Sequence, residues 1–221
     1  MISSNLIKRG LFIVFEGPEG AGKTVQAARL AEYLGKIGYG DGKAIHEPGG
    51  TRIGETIRGI LLDINNKGMQ PLAEFFLFLA ARVKFVCDIV KPKMENGEIV
   101  VADRFALSTM AYQIYARGLP EEQCLTAIDL AVQGCEPDVY FLLLVDPEIG
   151  RNRQGLQGKK PDRFESENLD FHRKVTEGYV HFSQRLQNCV VIDTDHLTVE
   201  EIQKEVVDYL RKRFGDRFPN L

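Results

Sequence analysis

Residues 17–24 read G-P-E-G-A-G-K-T, and that spacing of glycines, a lysine and a hydroxyl suits the holding of phosphate. Gly17, Gly20 and Gly22 let successive backbone N–H groups turn toward anionic oxygens with no Cβ in the way, while Pro18, Glu19 and Ala21 complete the loop. Lys23 brings a mobile ammonium to the β- and γ-phosphates, and the Thr24 hydroxyl can rest on Mg²⁺. A helix opening at this point adds an N-terminal end that favours an anion.

A second group of residues gains meaning beside the first. Residues 99–104 read I-V-V-A-D-R, an apolar strand ending in Asp103 and Arg104. An acid at the end of a strand neighbouring the phosphate loop helps hold Mg²⁺, often through water, and Arg104 would then face the phosphates. Arg58, Arg82, Arg151, Arg153 and Arg163 also fall on or beside expected ligand loops. Transfer of a phosphoryl group between two anions needs their repulsion cancelled, and guanidinium forks do this. No N-K-x-D segment for reading guanine is present. The combination favours a phosphotransferase over a switch that only cycles nucleotide.

These residues need a frame. The apolar run 11–15 precedes the loop as a buried parallel strand would. After it, Ala27, Leu30, Ala31 and Leu34 recur at helical spacing up to Gly35. Further strands are expected at 44–46, 99–102, 139–145 and 190–192. Helices are expected at 22–36, 53–64, 72–96, 121–133, 169–187 and 199–214. This alternation predicts an α/β fold, a P-loop NTPase three-layer sandwich on a five-stranded parallel sheet, with ligands beyond the carboxyl ends of the strands. Residues 38–42 read as a surface connection. Residues 150–163 are rich in glycine and charge with few apolar anchors, and read as either a solvated loop or a mobile lid carrying cations over the phosphates.

The chain has 221 residues with a net charge of −3, enough for a single domain over 1–221 with a sizeable core and without the basic surplus of a nucleic-acid or membrane-surface binder. No segment approaches the length of a membrane span, and the first ten residues lack the apolar core of a secretory leader. Cys87, Cys124, Cys135 and Cys189 are scattered and read as buried thiols of a cytoplasmic protein, not as a disulfide or zinc framework.

Residues 47–51 (E-P-G-G-T), 78–82 (F-L-A-A-R) and the run D-R-F-x-x-S-x-x-A-Y-Q from Asp103 to Gln113 resemble motifs of the thymidylate kinases. So do Tyr115 to Gly118, Asp162 to Phe164, and Phe171-His172 through Gly178-Tyr179. The likeness runs in order along nearly the whole chain. It implies a homodimer that phosphorylates dTMP with ATP and Mg²⁺ to give dTDP and ADP in dTTP synthesis, with no nucleic acid or membrane as partner.

Carried over residue by residue, the resemblance implies that Phe78 stacks on thymine and that Arg82 and Gln113 bond the base edge with Ser108 nearby. Tyr112 lies under the deoxyribose, Glu19 reaches the 3′-OH, and Arg58 and Arg104 grip the acceptor phosphate beside Glu47 and Pro48. Thr24 and Asp103 hold Mg²⁺. Lys23, Arg104 and the lid arginines serve catalysis, with Arg153 the first candidate and Arg151 and Arg163 behind it; Arg151 also counts among the residues on ATP. Read from the residues alone, Phe78 also suits a packed core, Tyr112 helix packing and Arg58 a solvated helix charge. The chain departs from the family pattern at three places: Val25 replaces a hydroxyl residue, His46 stands where an arginine is common, and Ile114, in place of a glycine, is expected to crowd the acceptor pocket.

Overall fold

A computed structural model describes residues 9–155 and 161–219. Its strands are β1 (Leu11–Glu16), β2 (Ile45–His46), β3 (Ile99–Asp103), β4 (Val139–Leu144) and β5 (Cys189–Asp193). All pairings are parallel and the spatial order is β2-β3-β1-β4-β5. β1 is therefore central, and the loop that follows it opens where its two neighbours diverge in sequence.

Strand side chains alternate between faces, and each face has its own helices. Phe12 and Val14 join Val100, Tyr140 and Leu142 on one face. There they meet α3 (Pro71–Phe85), α6 (Glu121–Val132) and α8 (Leu169–Ser183), which contribute Phe75, Ile128 and Val175. Leu11, Ile13 and Phe15 turn to the other face with Val101 and Phe141. That layer is closed by α1 (Lys23–Lys36) through Ala27, Leu30 and Leu34, and by α9 (Val199–Phe214) through Ile202, Val206 and Leu210. This is the expected three-layer α/β/α arrangement. Leu30 is fully buried, and truncating such a side chain to alanine costs about 2–5 kcal/mol.

The remaining elements show where local chemistry overrides periodicity. The expected helix over 72–96 is α3, then a π-helical turn Val86–Val90, then α4 (Lys91–Glu95). Pro92 lacks the N–H that an uninterrupted helix needs and crowds the carbonyl four residues earlier, so the ladder widens before it. Residues 52–62 form α2 (Arg52–Leu62), started by the Thr51 hydroxyl, which accepts from Gly54 N–H at 3.0 Å. No expected helix spans 105–116, yet α5 (Ala106–Thr109) and a π-helical turn Met110–Ala116 occupy it.

Of the expected loop or lid over 150–163, residues 150–155 are instead the end of a helix, α7 (Pro147–Gly155). The Asp146 carboxylate accepts from the Glu148 N–H at 2.8 Å and supplies the cap that the composition concealed. Residues 156–160 of the expected lid lie outside the described residues.

Among the cysteines, Cys124 and Cys135 are buried as expected, but Cys87 is exposed because it sits on the outer side of the Val86–Val90 turn.

Candidate functional site

Beyond the carboxyl ends of the strands lies a cavity of about 720 Å³. Its walls come from the phosphate loop, the β2–α2 loop, α2 and α3, the segment after β3, α7 and the turn at 162–165.

The phosphate loop has the required backbone. Gly17, Gly20 and Gly22 hold φ values of 141°, 78° and 91°, a region costly for residues with a Cβ. Gly22 starts α1 directly. The Lys23 ammonium donates to the Pro18 carbonyl at 2.7 Å, with no carboxylate within hydrogen-bond distance among the described residues. Burial depresses its pKa, and the charge of Arg104 adds to this against the opposing pull of Glu19, Asp103 and Glu16. An incoming phosphate would restore the lost solvation.

Register brings Asp103 to the same place. Phe15 is paired with Asp103 across β1 and β3, and the Thr24 hydroxyl donates to Asp103 Oδ2 at 2.5 Å. Asp103 Oδ1 is buried and has no partner among the described residues. A hydroxyl, a carboxylate and one orphaned carboxylate oxygen are hard donors that fit Mg²⁺, an ion that takes few protein ligands and keeps water and phosphate oxygens. Among the described residues no cluster of three or more His, Cys, Asp or Glu offers a fuller metal cage.

Arg104 sits at φ 75°, an uncommon conformation for a residue with a long side chain and one found at ligand sites. Its N–H donates to the Phe15 carbonyl at 2.9 Å, which fixes the turn. Its guanidinium donates to the Gly17 carbonyl at 3.1 Å, the Ser108 hydroxyl at 3.1 Å, the Tyr179 hydroxyl at 2.9 Å and the Glu19 carboxylate. Burial opposes the ionisation of Glu19, but Arg104 and Lys23 outweigh it and hold the pKa down at about 2. The Tyr112 hydroxyl donates to Glu19 at 3.3 Å. Burial of this phenol raises its pKa and keeps it protonated.

Glu16, the last residue of β1, lies beneath this group. Its carboxylate accepts from Phe105 N–H at 2.8 Å and Ser108 N–H at 3.1 Å, and from the hydroxyls of Ser108 at 2.6 Å and Tyr179 at 3.3 Å. Burial nonetheless raises its pKa to about 7, against the lowering effects of the Ser108 hydrogen bond and the Arg104 charge.

On the opposite wall, Phe78, Tyr112, Gln113, Ser108, Pro48, Glu47 and Arg58 all line the cavity. The Phe78 ring stands 5.8 Å from that of Phe164, centroid to centroid, and Arg58 donates to the Pro48 carbonyl at 3.0 Å. Arg82 is set behind Glu47. It is 1% exposed and grips both carboxylate oxygens of Glu47 at 2.8 Å through Nε and Nη2. Nη2 also donates to the Phe105 carbonyl and the Thr109 hydroxyl, whereas Nη1 has no partner among the described residues.

Three of the expected cationic residues do not line the cavity: Arg82, held behind Glu47 instead of on a base edge, and Arg163 and Arg151. Arg163 is buried, donating to the Leu61 carbonyl at 2.7 Å and to Glu74 at 2.5 Å. The pull of a buried carboxylate turns it toward the α2–α3 side and away from the phosphate loop. Arg151 is exposed on α7 and absent from the cavity wall, whereas Arg153, two residues on, does line the cavity. Arg153 is anchored to the Thr194 and Asp195 carbonyls at 2.9 and 3.1 Å. Ile114 is 5% exposed and packs into the core. It does not line the cavity, so it does not crowd the acceptor side as expected.

The sequence reading did not single out Glu16, Glu74, Gln154 or Glu165 as site residues. Glu16 had one visible signal, a carboxylate closing an otherwise apolar strand. Gln154 and Glu165, joined at 3.0 Å, had none.

A phosphate loop after the central strand, a hydroxyl–carboxylate pair beside it and a second, arginine-bearing wall in the same cavity define a P-loop nucleotide kinase. The Thymidylate kinase family model matches residues 15–206. The thymidylate kinase of Maridesulfovibrio salexigens is 41% identical over 202 residues, covering 89% of this chain and 93% of the relative. That of Thermoanaerobacter sp. strain X514 is 39% identical over 204 residues, covering 92% and 98%. The crystal structure of thymidylate kinase from Ehrlichia chaffeensis superposes with a TM-score of 0.73 at 32% identity, covering 92% of this chain and 99% of that one. The chain belongs to the thymidylate kinase family.

Proposed function

We propose that the chain transfers the γ-phosphoryl group of ATP to dTMP, giving ADP and dTDP for dTTP synthesis. One observation carries the reading: Lys23, Thr24 and Asp103 share a single cavity with Arg58, Arg104, Tyr112 and Phe78. A donor phosphate chain and an acceptor monophosphate can therefore meet head to head.

The acceptor is a phosphate monoester with a second pKa near 6, so its oxygen is largely ionised at neutral pH and no general base is required. That oxygen forms a bond to the γ-phosphorus as the bridging bond to the β-phosphate breaks, and ADP leaves with the electron pair. The protein's work is alignment and charge compensation in a loose transition state. Lys23 and the loop N–H groups hold the β- and γ-phosphates. Arg58 and Arg104 hold the acceptor phosphate, and Arg153 closes the open side. Thr24 and Asp103 would hold Mg²⁺, which neutralises charge developing on the β- and γ-oxygens. Glu19 is already ionised and accepts from the sugar 3′-OH. Phe78 stacks on the base, and Tyr112 fills the space a 2′-OH would need.

Two copies are proposed to pair through α3, whose outer side leaves Leu72, Phe76 and Val83 between 36% and 56% exposed. A run of exposed apolar side chains suits an interface between copies. Among the described residues no helix is long and apolar enough to cross a membrane. We propose a cytoplasmic location for the enzyme.

A coupled assay for ADP release tests the function. With ATP and Mg²⁺, dTMP should stimulate turnover strongly over no acceptor and over UMP, CMP, AMP and thymidine. dUMP should give a weaker but measurable rate, since one methyl in an apolar pocket discriminates by only ~1–3 kcal/mol. Slow hydrolysis with no acceptor dependence would instead mark a nucleotide switch and overturn the proposal.

A further inference from the structure

Glu74 is fully buried on α3, stands behind the cavity wall, and supplies none of the chemistry above. It is nevertheless the centre of a polar cluster. Its Oε1 accepts from Gln113 Nε2 at 2.8 Å and its Oε2 from Arg163 Nη1 at 2.5 Å, while Arg117 approaches the two oxygens at 3.4 and 3.5 Å.

The consequence falls on Gln113, which is buried and lines the cavity. A glutamine amide has a donor end and an acceptor end, and a free one can present either. Glu74, as an ion-paired carboxylate, only accepts, so it takes the donor end. The Oε1 end is left over, and no donor among the described residues reaches it. The unpartnered Nη1 of Arg82 is buried on a side chain that does not line the cavity, so what the wall itself offers is the Gln113 acceptor. An acceptor matches an imide N–H. It mismatches a ring nitrogen lone pair, which would leave polar groups unpaired.

We propose that Glu74 is a positioning residue for base selection: by holding Gln113 Nε2 it fixes Oε1 as the acceptor for the imide N–H of the incoming base, so that the site turns away amino-substituted pyrimidines. The inference rests on the acceptor reading given above.

The test compares dTMP with 5-methyl-dCMP, which keeps the methyl group and reverses the donor and acceptor of the base edge. In Glu74→Gln the residue can offer either an N–H or a carbonyl, and Gln113 is free to turn over. The ratio of kcat/KM for dTMP over 5-methyl-dCMP should fall about tenfold or more relative to wild type. The loss should appear in the acceptor KM, with the KM for ATP unchanged. Should E74Q prove insoluble because Arg163 is left without its carboxylate, the double variant E74Q/R163M removes the stranded charge and takes the same measurement. A variant that slows both acceptors equally and keeps the ratio overturns the inference and leaves a structural role. Wild-type enzyme with no dTMP-dependent turnover would overturn the acceptor reading itself, and this inference with it.

Discussion

Gly20 of the phosphate loop and Gly150 of α7 meet backbone to backbone. A Cβ on Gly20 would lie 2.3 Å from the Gly150 carbonyl oxygen, and one on Gly150 would lie 2.4 Å from the Glu19 carbonyl oxygen. The loop therefore carries no side chain at position 20, and the contact seats the helix that brings Arg153 to the cavity. Gly20→Ala adds a Cβ at φ 78°, a left-handed conformation costing about 1–2 kcal/mol, and it forces α7 away. We expect kcat/KM for ATP to fall by about tenfold or more, as a misplaced positioning element would cause. Steady-state kinetics at saturating dTMP check this; wild-type values would show that α7 does not need the contact.

The hydroxyl–carboxylate pair makes a prediction about metal dependence. Asp103→Asn keeps the shape and the Thr24 contact but removes charge next to the orphaned oxygen. The Mg²⁺ concentration for half-maximal rate should rise about 10–100-fold, the range typical of altered metal-site shells, with the melting temperature little changed. A titration of rate against Mg²⁺ decides. An unchanged midpoint would move the metal away from Asp103.

Arg153 and Arg163 should separate in opposite directions. Arg163 is a buried partner of Glu74, and Arg163→Met leaves that carboxylate short of a charge, costing about 3–5 kcal/mol of stability. Arg153→Ala removes a cavity-lining cation and should lower kcat far more than it weakens dTMP binding, with the protein's stability nearly intact. Chemical denaturation beside acceptor titrations measures both. If Arg163→Met instead spared stability and abolished kcat, the lid would close in a way that frees Arg163 from α3.

Glu16 sets a pH dependence. Its pKa in the folded protein, about 7, is raised above the ordinary 4.5 by burial. Between these values the folded protein keeps a proton that the unfolded chain releases. The contribution is therefore fully present below about 4.5 and is lost as pH rises through about 7. Glu16→Gln should flatten that part of the stability profile, read as melting temperature across the window. A wild-type slope surviving in the variant would assign the titration to another group.

The strand ends were legible in the sequence because an apolar run followed by glycines or an acid has few other uses. All five strands fall within two residues of expectation. The phosphate loop, Asp103 and Arg104 were legible for the same reason. What could not be read was where long side chains point. Arg163 and Arg153 look alike in the chain, yet a buried carboxylate captures the first and a pair of carbonyls the second. Arg82 was expected on the base, and most of its donors turn to Glu47 and neighbouring backbone instead. Ile114 looked obstructive only because the turn carrying it was not foreseen, and α7 was hidden by its own glycines. Glu74 carried no signal: a lone glutamate in an apolar helix resembles any surface residue until its three nitrogen-bearing partners from distant segments converge on it.

The π-helical turn Met110–Ala116 has one more consequence, for how the gene can change. Such a turn holds one residue more than an α-helical turn, and here the surplus sits where Tyr112 and Gln113 stand side by side on the cavity wall. Substitutions on its outer side alter surface chemistry only. A one-codon deletion would restore an ordinary helix and swing both side chains, together with α6 beyond them, out of phase with the pocket. In this stretch the number of residues matters to the pocket as well as their identities, four of which (Ala111, Tyr112, Gln113 and Ile114) are buried.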